Sequence, residues 1–91
     1  MMKIFKYPLA ITEIQIVELP VGSRILTFQL QNNQLFMWAI VDPSISTYPY
    51  KVHIFGTGEE VPDMNKLVYI ATVQQDIGVN YVWHIFMEKS H

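Results

Sequence analysis

The chain has 91 residues, which is the usual size of one domain, so we expect a single β domain over residues 1–91. Hydrophobic residues make up 51% of the chain and charged residues only 15%, against about 25% charged residues in an average domain. Such a charge-poor surface indicates either that a partner covers some apolar area or that neutral polar residues (Gln, Asn, Thr and Ser) keep the chain soluble. A homodimer is the simplest form of that coverage.

The charges also bear on the class of partner. The formal net charge is −2, and the six cationic side chains are scattered, so we expect no binding to nucleic acid, whose affinity comes largely from clustered cations. No stretch approaches the roughly 20 apolar residues that span a bilayer, and polar residues interrupt the first ten positions too early for a secretory signal. We therefore predict a cytoplasmic protein without membrane association. The chain has no cysteine, which excludes disulfides and thiolate chemistry.

Alternating apolar residues predict two strands at the start of the chain. The first covers Lys3–Leu9, and Pro8 removes a backbone donor, which is typical of an edge strand or of a strand end. The second covers Ile14–Leu19 and is closed by a proline. Its apolar phase changes between Ile16 and Val17, which predicts a β-bulge there.

The third and fourth strands, Arg24–Gln31 and Gln34–Asp42, form the clearest local signal. The Asn32-Asn33 pair between them favours a two-residue hairpin turn, because asparagine tolerates positive φ. This register predicts that Leu30 lies beside Leu35, Phe28 beside Met37 and Leu26 beside Ala39 on one buried face. The reverse face pairs Gln29 with Phe36, Thr27 with Trp38 and Ile25 with Ile40.

Both faces of the fourth strand are therefore largely apolar. This pattern predicts a central strand, or a strand whose second face meets a partner or a ligand. Residues 42–49 read as a loop, and Tyr50–Phe55 as a fifth strand with His53 on its outer side. After a Gly-Thr-Gly turn and a polar connection, Leu67–Gln74 and Asn80–Glu88 complete about seven short strands. The fold class is therefore all-β, as a small antiparallel sandwich or a partly closed barrel.

Several residue strings resemble those of an uncharacterised family of small proteins, about ninety residues long, from bacteriophage and prophage genomes. They are Lys3-Ile4-Phe5-Lys6-Tyr7-Pro8-Leu9, Glu18-Leu19-Pro20, Trp38-Ala39-Ile40-Val41-Asp42-Pro43, Phe55-Gly56-Thr57-Gly58 and Val82-Trp83-His84-Ile85-Phe86. The resemblance runs in order along nearly the whole chain. It implies a phage accessory protein that acts in the bacterial cytoplasm, and it assigns no activity and no functional residue.

Catalytic and metal-binding patterns are weak. His53 and His84 lie on predicted strands and could meet across a sheet, either as structural histidines or as a shared metal or ligand site. The third histidine is His91, at the end of the sequence. No serine has a nucleophile setting, and adjacent glutamates on an extended segment point in opposite directions. We therefore expect no enzyme, no cofactor and no metal.

Two further groups are candidates for contact with a partner or a ligand. The first is the turn Gly56-Thr57-Gly58, where glycine amides could face an anion, although a structural turn with positive φ explains the same residues. The second consists of aromatic residues outside the predicted core, which are favoured interface anchors: Phe36, Trp38, Tyr48 and Tyr50.

Three classes of function remain. The favoured one is an accessory protein that acts by binding, most concretely an inhibitor of a host protein or defence complex. The alternative is a binder that sequesters a small nucleotide-like signal, and a virion component is the third. A ligand binder should have a deep pocket with converging polar groups. A protein binder should have a flat apolar patch with a polar rim.

Overall fold

A computed structural model describes residues 1–89 and contains seven β-strands and one short 3₁₀ turn at Met64–Lys66. The strands are β1 (Lys3–Leu9), β2 (Ile14–Pro20), β3 (Arg24–Gln31), β4 (Gln34–Val41), β5 (Thr47–Gly56), β6 (Leu67–Asp76) and β7 (Asn80–Glu88). They form two antiparallel sheets with the strand orders β1–β4–β3 and β2–β5–β7–β6. The all-β prediction is confirmed, and a sandwich describes the arrangement.

Within residues 1–89, we find no helix with the length and apolar character needed to cross a membrane.

The β3–β4 hairpin forms at the turn that the sequence indicates. Asn32 and Asn33 both have positive φ, 49° and 63°, as a two-residue primed turn requires. From this turn the predicted register holds as far as the Thr27–Trp38 pair. β4 lies between β1 and β3, and β1 is an edge strand, which confirms the predicted central and edge positions.

The predicted register is wrong beyond Thr27. A β-bulge between Ile25 and Thr27 shifts the pairing, so Ile25 pairs with Ala39 instead of Ile40. Leu26 has no partner in this register and is 46% exposed instead of sharing the buried face. A bulge places two residues opposite one, and edge strands such as β3 accommodate this irregularity most easily.

Two boundaries near β2 and β5 also differ from the prediction. β2 pairs with β5 without interruption from Ile14 to Pro20, so the bulge expected between Ile16 and Val17 is wrong. The apolar phase changes because Ile14 and Ile16 are exposed on the outer side while Val17 is buried in the core. β5 begins at Thr47, so the end of the predicted loop is part of the strand.

The core lies between the two sheets and contains inward-facing residues from all seven strands. β3 and β6 lie side by side without strand pairing, so the sandwich is nearly closed along that side. The buried cluster comprises Leu9, Val17, Leu19, Phe28, Leu35, Met37, Val52, Ile54, Val73, Ile85 and Met87. Each sheet therefore has one inner face in this core and one outer face available for other contacts.

Candidate functional site

The outer face of the four-stranded sheet carries both central histidines. Residues that pair across antiparallel strands point to the same side of the sheet, and two such rows cross this face. We call it the histidine face and define it by His53, Phe55, Tyr69, Thr72, His84 and Phe86. The alternation predicted for β5 correctly placed His53 and Phe55 opposite Val52 and Ile54.

His84 is held by hydroxyl groups at both ring nitrogens. Nε2 lies 2.9 Å from Thr57 Oγ1 and Nδ1 lies 3.1 Å from Thr72 Oγ1. The Tyr69 hydroxyl extends the chain, 2.7 Å from Thr72 Oγ1. A neutral imidazole has one donor and one acceptor nitrogen, so the two threonines use the whole hydrogen-bonding capacity of this ring. The arrangement positions His84 and leaves no ring nitrogen ready to accept a substrate proton.

His53 is the most buried polar side chain on this face. Only 8% of the residue is exposed, and its Nε2 lies 2.7 Å from Glu88 Oε2. The imidazole also stacks on Phe55, with ring centroids 6.2 Å apart and planes 16° from parallel. The hydrogen bond from His53 lowers the pKa of the Glu88 carboxyl; burial opposes this shift, and the positive charge of Lys51 adds to it.

The two histidines lie on neighbouring strands, because β5 pairs with β7. Their side chains have different partners, however: a carboxylate for His53 and two hydroxyls for His84. Among residues 1–89, no group of three or more His, Asp or Glu side chains is placed to hold a metal ion. His91 lies outside the described residues.

A cleft opens beside His53 between the histidine face and the connection that follows β5. It has a volume of about 760 Å³, within the range of about 300–1,000 Å³ that is typical of ligand pockets. Its lining combines aromatic, aliphatic and carboxylate side chains: Glu13, Ile14, His53, Phe55, Glu59, Glu60, Val61 and Pro62. The lining includes three carboxylates and no Lys or Arg, so the cleft disfavours phosphate groups.

The Gly56-Thr57-Gly58 turn is closed by the residue that follows it. The Glu59 amide donates to the Gly56 carbonyl at 3.1 Å, and the Glu59 carboxylate accepts from the Gly56 amide at 2.9 Å. Gly58 has a φ of 93°, and a Cβ at Gly56 would lie 2.7 Å from Glu59 Oε1. The positive φ therefore favours glycine at position 58, whereas a side chain at position 56 would displace the Glu59 carboxylate. The Gly56 amide already binds this carboxylate instead of facing an external anion.

The outer face of the three-stranded sheet is different. Its central strand presents Phe36 and Trp38, which are both half-buried and lie with ring centroids 6.0 Å apart. Cross-strand neighbours extend the surface on both sides. We call it the aromatic face and define it by Ile4, Lys6, Thr27, Phe36, Trp38 and Ile40. No other element among residues 1–89 forms a third layer over it.

Lys6 lies over the aromatic pair. Its Nζ is 4.0 Å from the centroid of Phe36 and 5.7 Å from that of Trp38, and it donates to Gln31 Oε1 at 2.7 Å. β1, β3 and β4 contain no Asp or Glu. Their cations on the outer side are Lys6 and Arg24, whereas Lys3 pairs with the buried Val41 and so points to the inner side. The aromatic face is therefore apolar at its centre, with cationic and amide groups around it.

Tyr48 and Tyr50 belong to neither surface. They pair with Leu19 and Val17 and so point to the inner side of the sheet. Their rings pack edge to face with centroids 5.2 Å apart. Tyr50 packs against the core, while Tyr48 is 45% exposed at its margin. The structure brings Thr57 and His84 together, and Phe36 and Trp38 together, but keeps the tyrosines apart from both pairs.

Several residues of these surfaces were not singled out from the sequence. Tyr69, Thr72, Phe86 and Glu88 complete the interactions of the histidine face, but they become neighbours only through the order of β5, β7 and β6. Lys6 reaches Phe36 and Trp38 only because β1 pairs with β4. The alternation of β7 did contain a signal, since His84 and Phe86 are two residues apart and share a face.

Comparisons with known proteins give one finding. A family model described as "Domain of unknown function (DUF7352)" matches residues 1–91, which is the full length of the sequence. Neither a curated protein nor a solved structure matches the chain.

Proposed function

The chain belongs to the family of the domain of unknown function DUF7352, and from its surfaces we propose that it acts by binding another protein. The binding surface is the aromatic face. Its partner is a protein of a bacterial host, and the chain is an accessory protein of phage type that inhibits or modulates this target in the cytoplasm. The host setting follows from the resemblance of the sequence strings to small phage and prophage proteins.

The observation that carries the proposal is the half-buried pair Phe36 and Trp38 on the central strand, which the Lys6 side chain lies over but which no third layer covers among residues 1–89. Aromatic residues at the centre of a patch are the commonest anchors of protein interfaces. Ile4, which is 63% exposed, and Thr27 lie beside these rings on the neighbouring strands, and the Lys6 side chain lies over them. An apolar centre with a polar rim is the form that protein interfaces take.

The hydrogen bonds that the histidine side chains make within the protein support binding over catalysis. The ring nitrogens of His84 are bonded to two threonines, and His53 is bonded to Glu88. A general base must lie within hydrogen-bonding reach of the proton that it removes. The hydrogen bonds of His84 engage both of its ring nitrogens, so this ring has no free acceptor, whereas the bond of His53 engages Nε2 alone.

The cleft beside His53 favours a second candidate function, the binding of a small molecule. Its volume and its aromatic lining suit an organic ligand. The carboxylates of Glu13, Glu59 and Glu60 would repel phosphate, so a nucleotide-like signal would have to bind through its base or sugar. A ligand of this kind would be neutral or cationic.

Affinity capture with matched variants tests the protein-binding proposal. Wild-type protein, Trp38→Ala and Tyr81→Ala are immobilised and exposed to bacterial lysate, and the retained proteins are quantified by mass spectrometry. Tyr81 is the control because it is an aromatic residue, 41% exposed, that stacks on Trp83 away from the aromatic face. Circular dichroism of each variant checks the fold.

We expect one host protein to be enriched by the wild type and by Tyr81→Ala and to be lost with Trp38→Ala. Equal enrichment with Trp38→Ala would contradict the aromatic face as the binding surface. Native mass spectrometry of the purified protein distinguishes the second candidate function, the binding of a small molecule, from the binding of a protein. A retained small molecule that is lost in Glu60→Gln, without any enriched protein, would replace the proposal by ligand binding in the cleft.

A further inference from the structure

Two strand edges of the sandwich differ in how well they are protected against pairing with another chain. β3 and β6 lie side by side along one side of the sandwich, whereas β1 and β2 are the outermost strands at the other ends of their sheets. An edge strand exposes unpaired backbone N–H and C=O groups and can pair with another chain. The side chains and backbone directions at these two edges decide which of them is available.

The β1 edge contains features that block pairing. Lys3, Lys6 and Pro8 lie along its seven residues, and lysine and proline are the residues that protect exposed edges. The β2 edge carries two exposed isoleucines instead, with Ile14 54% and Ile16 59% exposed. Glu18 is its only charged residue.

The hydrogen bonds at both ends of β2 show which backbone groups point outward. The Ile54 amide donates to the Glu13 carbonyl at 3.0 Å, and the Val21 amide donates to the Ser46 carbonyl at 3.0 Å. Both pairs continue the uninterrupted β2–β5 register. Because hydrogen-bonded and non-hydrogen-bonded pairs alternate in an antiparallel ladder, the odd-numbered residues of β2 bond to β5. The even-numbered residues point their amides and carbonyls away from the sheet.

The prolines of these strands agree with this assignment. Pro20 pairs with Thr47, and Pro49 pairs with Glu18, so both prolines lie in non-hydrogen-bonded pairs, where no N–H is needed. Three consecutive even positions, Ile14, Ile16 and Glu18, therefore present outward backbone groups. Among residues 1–89, the one side-chain contact recorded for these groups is a long 3.4 Å bond from the Thr12 hydroxyl to the Ile14 carbonyl.

We propose that a second copy of this chain pairs with β2 at this edge, antiparallel and centred on Ile16. The two four-stranded sheets then join into one continuous sheet across a two-fold axis. In this register Ile16 lies opposite the partner's Ile16, and Ile14 lies opposite the partner's Glu18. Each of these pairs exchanges both backbone hydrogen bonds, because all of the residues involved point outward.

The pattern of residues along the β2 edge favours pairing with a second copy of this chain over pairing with a strand of a different protein. A two-fold interface needs a surface that is complementary to itself, and a run of outward groups at Ile14, Ile16 and Glu18 has this property when it is centred on Ile16. The register places no like charges directly opposite each other, which would be destabilising. It also places the two exposed isoleucines of β2 beside side chains of the partner strand, in agreement with the homodimer expected from the charge-poor composition.

This interface is separate from the aromatic face, because β2 belongs to the other sheet. The dimer therefore presents two aromatic faces and can bind the proposed protein partner with both. Dimer formation and partner binding can also fail independently. Trp38→Ala should leave the dimer intact.

Ile16→Pro tests the proposal most sharply, because proline removes an outward N–H and leaves the bonds between β2 and β5 in place. Sedimentation at high micromolar concentration should give a dimer for the wild type and the monomer mass of 10.6 kDa for Ile16→Pro. Ile77→Ala is the control, since Ile77 is similarly exposed, at 55%, but lies in the β6–β7 turn. It should remain a dimer.

A monomeric wild type would overturn the proposal, as would an Ile16→Pro variant that is folded and still dimeric. Hydrogen exchange on the wild type gives a second test that does not depend on the folding of the variant. The Ile16 and Glu18 amides should exchange more slowly as the protein concentration rises. Protection that appears only when a host protein is added would assign the edge to that partner and would overturn a second copy as its occupant.

Discussion

The outer faces of the two sheets contain similar numbers of aromatic residues but differ in how far other side chains cover these residues. On the histidine face, Phe86 packs edge to face against both Phe55 and Tyr69, with centroids 5.7 Å and 5.5 Å apart, and is only 8% exposed. On the aromatic face, Phe36 and Trp38 contact each other and a lysine, and no element within residues 1–89 forms a layer above them. Aromatic content alone therefore does not distinguish a structural surface from a binding surface.

The polar groups explain the difference. The histidine face satisfies its own donors and acceptors through threonine, tyrosine and glutamate side chains, and the β5–β6 connection forms one wall of the cleft beside it. Such a face gains little from a partner, because its polar groups would exchange one hydrogen bond for another. The aromatic face has apolar area at its centre, which would gain from being removed from water.

The largest expected effect comes from truncating one phenylalanine on each face. Phe86→Ala should lower the free energy of unfolding by about 3–4 kcal/mol, because it removes a buried ring and its two aromatic contacts. Phe36→Ala should lower it by only about 1–2 kcal/mol, because the ring is partly in water already. Urea denaturation of both variants measures the two values. Equal losses would show that the two faces are covered to the same extent.

A smaller effect is expected from His84→Ala. This change removes the hydrogen-bonding partner of the Thr57 and Thr72 hydroxyls. We expect the free energy of unfolding to fall by about 1–2 kcal/mol, since each hydrogen bond contributes a net of about 1 kcal/mol. Partner capture should be unchanged. A folded His84→Ala variant that no longer captures the partner would move the binding surface to the histidine face.

The smallest expected effect is on the pH dependence of stability. It arises from the Glu88 carboxyl, which is partly exposed. The hydrogen bond from His53 lowers the pKa of this group below its usual value of 4.5, so folding favours the ionised form. The resulting stabilisation is present above the usual value and is lost as the pH falls through the lower pKa of the folded state. Thermal unfolding of the wild type and Glu88→Gln as a function of pH measures it.

The melting temperatures of the two proteins, plotted against pH, should converge below pH 4.5 as the carboxyl becomes protonated. The melting temperature of Glu88→Gln should therefore change less as the pH falls. An identical pH dependence of the two proteins would mean that the His53–Glu88 contact does not contribute to stability.

The sequence predicted the local parts of the fold correctly. Alternation located the seven strands, and Asn32-Asn33 located the hairpin, because both signals act over neighbouring residues. The register failed at Leu26, because a bulge there shifts the pairing of β3 with β4 and the alternation of apolar residues contains no sign of it. The phase change at Ile16 was read as a bulge, but it arises because β2 exposes two isoleucines at a free edge.

The candidate sites were predictable only in part. Phe36 and Trp38 could be placed together, because they are two residues apart on one strand. The interactions of His53 with Glu88, and of His84 with Thr57 and Thr72, depend on the strand order of the second sheet. Long-range pairing of this kind has no local signal in a single sequence, so the histidines could be placed on strands but not given their partners.

Photo-crosslinking in living bacteria tests the division between the two faces most directly. A p-benzoylphenylalanine residue is introduced in place of Phe36 on the aromatic face or in place of Tyr69 on the histidine face, where Tyr69 is 55% exposed. We expect the Phe36 position to crosslink to a host protein and the Tyr69 position to give no such product. A host protein crosslinked from Tyr69 and not from Phe36 would contradict the assignment of the aromatic face as the binding surface.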